Sequence, residues 1–179
     1  VSRETFYPLL QVSRNTALAA TAGGRTRGMY AFIDRQVSEL DEGGRFLLWS
    51  VRFWVRAMGQ RRCPSTDIGS AFERNGLSEA LPHFNMTMLI LNRHALDNMG
   101  FGPLPCPRVH EAEALLLGIL SRMRDMDEME LRATLALMVE PDWVNPLRAS
   151  LTALAIDLAQ IAFLPHAPAP LILPTGGKA

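Results

Sequence analysis

Residues 46–58, Phe-Leu-Leu-Trp-Ser-Val-Arg-Phe-Trp-Val-Arg-Ala-Met, are apolar on nearly every side of a helix. A helix that is hydrophobic almost all round must be buried. The run is bounded by Gly43-Gly44 and Gly59 and falls short of the roughly 20 residues that a bilayer span needs. It is therefore expected to be the central core helix of a soluble domain, with the other helices packed around it.

The run has one polar stripe. Spacings of seven and four put Arg45, Arg52 and Arg56 on one face, where Trp49 joins them. A tryptophan among guanidinium groups suits cation–π contact or an anionic partner, which makes these four a candidate partner or anion face. The plainer alternative is that the arginine stems cover the core while their heads meet water or acids of a neighbouring helix.

A chain of 179 residues, with 48 % apolar and 20 % charged residues, suits one domain that folds without staples. Seventeen of the 18 basic residues are arginine and one, Lys178, is lysine. With the abundant alanine and leucine, this reads as the bias of a GC-rich bacterial genome, in which Val1 would be a literal GTG start. Net charge is zero, but residues 1–62 hold ten arginines against five acids, and residues 111–142 hold eight acids against three arginines. Such a dipolar chain favours pairing of a basic with an acidic face, within the molecule or between subunits, and argues against a general nucleic-acid binder. Residues 6–22 are too broken for a secretory signal, so a cytoplasmic setting with two reduced cysteines is expected.

Along the chain, residues 1–28 lack periodicity and read as a mobile arm. Met29, Ile33, Val37 and Leu40 recur at helical spacing and predict a short amphipathic helix before the glycine pair. Pro64-Ser65-Thr66-Asp67 supplies start signals for a helix running from Asp67 to Asn75 and stopping at Gly76, and Ser78 would cap a longer one to about Met99, with Pro82 in its first turn. This pair invites a helix-turn-helix reading. The second helix opens Glu79-Ala80-Leu81-Pro82, however, acidic and apolar, with no Arg or Lys before Arg93, so nucleic acid is not the expected partner. The proline-rich loop of residues 100–107 leads into a helix from about Arg108 to Met123, and Asp125, Asp127, Glu128 and Glu130 crowd the start of another. Asn145 and Pro146 signal the start of a last helix, on which Leu147, Leu151, Leu154, Leu158 and Ile161 form a seam for helix packing or dimerisation. Residues 165–179, with four prolines and two glycines, read as an extended tail.

The polar constellation that could carry chemistry is Cys63, His83, His94, Cys106 and His110, all able to hold a soft or borderline metal. Cys106-Pro107-Arg108-Val109-His110 sets a thiol and an imidazole four apart at a helix start, where the positive dipole end favours thiolate. A structural zinc site usually shows closely paired ligands on both sides, and Cys63 has no such partner. Buried inert cysteines, a redox pair, and a zinc or haem site therefore all remain open. The Cys-Pro pair, used twice, resembles the short haem-responsive motifs of regulatory proteins in those two residues; that resemblance implies His83, His94 or His110 as second axial ligand.

Phosphate-loop, nucleophile-elbow, His-Glu-x-x-His and Glu-x-x-His signatures are missing, which points away from the common enzyme classes. Glu111 and Glu113 lie on different sides of a helix and read as charges at its N-terminus. Met86, Met88, Met123, Met126, Met129 and Met138 sit mostly at core spacing.

The expected fold is a single all-α bundle of six to seven helices around residues 46–58, with the helical domain spanning 29–164. The expected function is that of a non-enzymatic regulatory or interaction protein that self-associates or binds a protein partner. A metal-, haem- or redox-responsive sensor using Cys63, Cys106 and His110 is the alternative, and an enzyme acting on a small molecule a third option.

Overall fold

A computed structural model describes residues 31–168. The expected arm over 1–28, Met29 of the first expected helix, and residues 169–179 of the tail, with Leu171-Ile172-Leu173, lie outside the described residues.

The described chain is all-α. Six helices follow one another: α1 (Glu42–Gly59), α2 (Pro64–Arg74), α3 (Ala80–His94), α4 (Glu111–Arg122), α5 (Glu128–Leu135) and α6 (Val144–Gln160), with 3-10 turns at Val37–Glu39 and Pro141–Trp143. Two isolated antiparallel bridges join Gln36 to Arg108 and Ala95 to Val139.

α1 is the buried helix its sequence demands. Leu47, Leu48, Val51, Trp54 and Ala57 are each 2 % exposed or less. The helix begins earlier than the glycine pair suggested, because the Asp41 carboxylate accepts from the Gly44 amide at 2.8 Å and caps the first turn. Gly43 and Gly44 lie inside that turn rather than before it. A Cβ on Gly43 would come within 2.2 Å of the Phe163 carbonyl oxygen, so glycine there lets the chain leaving α6 pass across the start of α1.

α6 is the other main core helix, and its most extensive partner is α3. Leu147, Leu151, Leu154 and Leu158 are each at most 1 % exposed, so the leucine seam is buried within its own chain, while Ile161 at its end is 38 % exposed. Thr87 donates to Ser150 at 3.0 Å inside the α3–α6 contact and Ser150 donates on to the Leu147 carbonyl at 3.0 Å, so both buried hydroxyls are satisfied. Asn145 is not a cap: α6 runs directly out of the 3-10 turn, with Pro146 in its first turn.

The expected amphipathic helix over 29–40 is not formed in its described part. Asp34 has a positive φ of 58°, and the segment pairs with residues 107–109 instead. The Asp34 amide donates to the Val109 carbonyl (3.1 Å), the Val109 amide to the Arg35 carbonyl (2.9 Å) and the Val37 amide to the Pro107 carbonyl (2.8 Å). These bonds use backbone groups that a helix would have kept for itself. Smaller boundary differences have local causes. α2 starts at Pro64, the first helical position that proline favours, and α3 ends at His94 because Ala95 turns extended to pair with Val139.

Candidate functional site

The stripe on α1 divides. Arg45, Trp49 and Arg56 face outward, whereas Arg52 is 3 % exposed and points into the protein. Its guanidinium meets Glu113, 1 % exposed, in a two-pronged pair: Nε to Oε1 at 2.8 Å and Nη2 to Oε2 at 2.8 Å. The remaining donors go to backbone, Nη1 to the Cys106 carbonyl and Nη2 to the Arg108 carbonyl, both at 2.6 Å. The planar fork of arginine matches a carboxylate and still reaches two carbonyls, which is the satisfaction a buried charge requires.

Glu113 is equally engaged. Besides Arg52, its carboxylate accepts from the Gly102 amide (Oε1, 2.8 Å) and from the His110 amide (Oε2, 2.8 Å). The second bond is that of a helix N-terminus closed by the side chain three residues in, so the expected role of Glu113 as an N-terminal charge is one part of what it does. One buried carboxylate thus fixes both ends of the loop of residues 102–110 against α1. Gly102 must approach closely: a Cβ there would lie 3.0 Å from His110 Cδ2 and 3.1 Å from Arg52 Nη2.

On this support stand Cys106 and His110. The thiol sulfur lies 3.4 Å from His110 Nε2 and 3.5 Å from the Arg108 carbonyl oxygen, and both side chains are half-buried. A thiol and an imidazole at this distance can share a proton, and together they offer one sulfur and one nitrogen donor.

The other candidates sit elsewhere. Cys63 is exposed at the N-cap of α2, and hydrogen bonds from the Thr66 side chain and backbone, helped by Ser65, hold its thiol below the ordinary range. His83 faces Asp157 of α6 at 3.9 Å. His94 pairs with Glu140 at 3.2 Å and stacks on Trp143, ring centroids 3.7 Å apart. Among the described residues, no three His, Cys, Asp or Glu side chains come together as a group able to hold a metal ion. The five residues thus do not build the closed four-ligand site that structural zinc takes.

Pairing of the stripe with an acid of a neighbouring helix was among the readings of the sequence, but neither Glu113 as that acid nor the role of Gly102 was foreseen. The available signal was the position of Arg52 at the middle of the apolar run, between Val51 and Phe53, where the helix is most deeply buried.

The outward face of α1 is aromatic. Trp49 is 36 % exposed and in ring contact with Phe46 (6.3 Å) and Phe53 (5.2 Å); Phe46 continues to Phe72 (5.0 Å) and Phe163 (5.7 Å). Arg45 bonds back to the Leu40 carbonyl and, like Arg56, is exposed. No helix among the described residues is long and apolar enough to cross a membrane.

Fold and site together define an all-α domain with a thiol and imidazole braced by Arg52 of its central helix and an exposed aromatic patch around Trp49 of the same helix. No family model matches the chain, and neither a curated protein nor a solved structure is significantly similar to it.

Proposed function

We propose that this chain is a non-enzymatic helical interaction and regulatory protein that binds a protein partner or a second copy of itself through the outward face of α1. The observation that carries this reading is Trp49, 36 % exposed, held by Phe46 and Phe53 and flanked by exposed Arg45 and Arg56. Tryptophan and arginine dominate binding energy at protein interfaces, and a side chain already fixed by its neighbours gives up little entropy on binding. The uneven charge supports the same reading. The Arg52 pair spends only part of the basic excess internally. The leucine seam does not contribute, since its four leucines are consumed by the chain's own core.

Sedimentation velocity over a wide concentration range, paired with affinity capture, tests this reading. Association or capture that is lost in a Trp49→Ala, Arg56→Glu double variant is the expected result. A concentration-independent monomer, with the same capture pattern for both proteins, would overturn it.

A second reading, that of a responsive sensor in a reducing bacterial cytoplasm, is favoured by the 3.4 Å contact between Cys106 and His110. A structural zinc site would need donors beyond these two, whereas thiol chemistry needs none.

A further inference from the structure

We propose that Cys106 is a site of reversible modification by small disulfides, with His110 as its proton acceptor; this rests on the sensor reading and names its chemistry. Three observations converge. Cys106 Sγ and His110 Nε2 are 3.4 Å apart, so the imidazole stands where it can take the thiol proton. The geometry is held in place, since the Cys106 carbonyl is bonded to Arg52 and the His110 amide to Glu113, and both of those side chains are buried. Access is restricted but open: Cys106 is half-buried between exposed Pro105 and Pro107, which admits a small reactant more readily than a protein.

The step balances without a further oxidant. The Cys106 thiol passes its proton to His110, and the thiolate attacks one sulfur of a disulfide RSSR. The RS–SR bond breaks as the Cys106 Sγ–SR bond forms. The leaving RS⁻ takes the proton from the imidazolium and departs as RSH. A second thiol reverses the reaction in the same way.

The modification is placed to be felt elsewhere. Carbonyls along residues 106–109 alternate: those of Cys106 and Arg108 accept from Arg52, and those of Pro107 and Val109 accept from Val37 and Asp34. The thiol itself touches the Arg108 carbonyl at 3.5 Å. A substituent on that sulfur ends this contact and crowds the segment that pins residues 34–37 to the core.

The test uses the full chain with Cys63→Ser, leaving Cys106 as its one thiol, treated with glutathione disulfide while adduct formation is followed by mass spectrometry across pH. The expected result is a single adduct on Cys106, reversed by dithiothreitol. Its rate should fall roughly tenfold or more in His110→Gln. In the wild-type chain, hydrogen exchange at the Asp34, Val37 and Val109 amides should rise on modification. Failure of the folded protein to react, labelling of Cys63 alone in the wild-type chain, or an unchanged rate in a folded His110 variant would overturn the proposal. His110→Asn, compared in the same way, decides the role of the imidazole where His110→Gln fails to fold. Haem or zinc binding that is lost in Cys106→Ser, without any reaction with the disulfide, would overturn this inference while leaving the sensor reading standing.

Discussion

Arg52 and Glu113 lie 61 residues apart in sequence and meet inside the protein as a two-pronged ion pair, with both N–O distances at 2.8 Å. Each is also bonded to backbone of the loop between α3 and α4, so the pair fastens that loop as well as joining two helices. Taking two charges out of water is costly, and the pair holds because nearly every donor and lone pair finds a partner.

Breaking the pair from one side leaves the other charge buried alone. Glu113→Ala should cost about 3–5 kcal/mol, read from urea unfolding midpoints at constant m-value. Arg52→Met with Glu113→Leu should recover a large part of that loss, because it removes both charges. A single-variant loss below about 1 kcal/mol would mean that the pair is solvated, as surface pairs are.

Much of this was legible beforehand, and the failures have physical causes. The apolar run of residues 46–58 announced its burial because no side of it could face water. The same helical arithmetic put Arg45, Arg52 and Arg56 on one face, and on the helix surface they share it. Burial also varies along the axis, however, and the loop of residues 102–110 covers the face only near Arg52. The spacing of Ile33, Val37 and Leu40 suggested a helix because nothing local reveals that residues 107–109 will claim the backbone of residues 34–37. The spacing of four set Cys106 and His110 at a helix start, but their contact was not legible, because a non-helical loop held by Arg52 and Glu113 brings them to 3.4 Å; Glu113, three further on, was readable as a terminal charge but not as the partner of Arg52.

Gly43 is a packing requirement. The Cβ of Gly43→Ala would stand 2.2 Å from the Phe163 carbonyl oxygen, so the segment after α6 must move. The expected cost is about 1–3 kcal/mol, with faster proteolysis near Phe163 and Leu164. Gly59→Ala meets nothing within 4 Å and serves as the control.

The two apolar faces should separate by experiment. Leu151, fully buried on α6, should cost about 2–5 kcal/mol as Leu151→Ala and leave any association of the folded protein unchanged. Trp49→Ala should show the reverse: a small stability change and lost association. Equal stability losses would mean that Trp49 serves the core.

Cys63 should react as a thiol whose charged form is favoured. Hydrogen bonds from Thr66, its side chain first, depress the thiol, so more thiolate is present at neutral pH than an ordinary cysteine carries. Thr66→Val removes the side-chain bond and moves the thiol back up. Alkylation by iodoacetamide at pH 7 in a Cys106→Ser background should slow several-fold, and its pH–rate curve should shift to higher pH. An unchanged curve would show that Thr66 does not set the reactivity.

The placement of Cys106, and with it the proposed thiol chemistry, depends on the Glu113 carboxylate fixing the loop before α4. Amide hydrogen exchange at Gly102 and His110, both of which donate to that carboxylate at 2.8 Å, measures this directly. In Glu113→Gln, protection at these two amides should fall sharply while the amides of α3 and α6 keep theirs. Unchanged protection at Gly102 and His110 would contradict the account, since the loop would then be held without the buried pair.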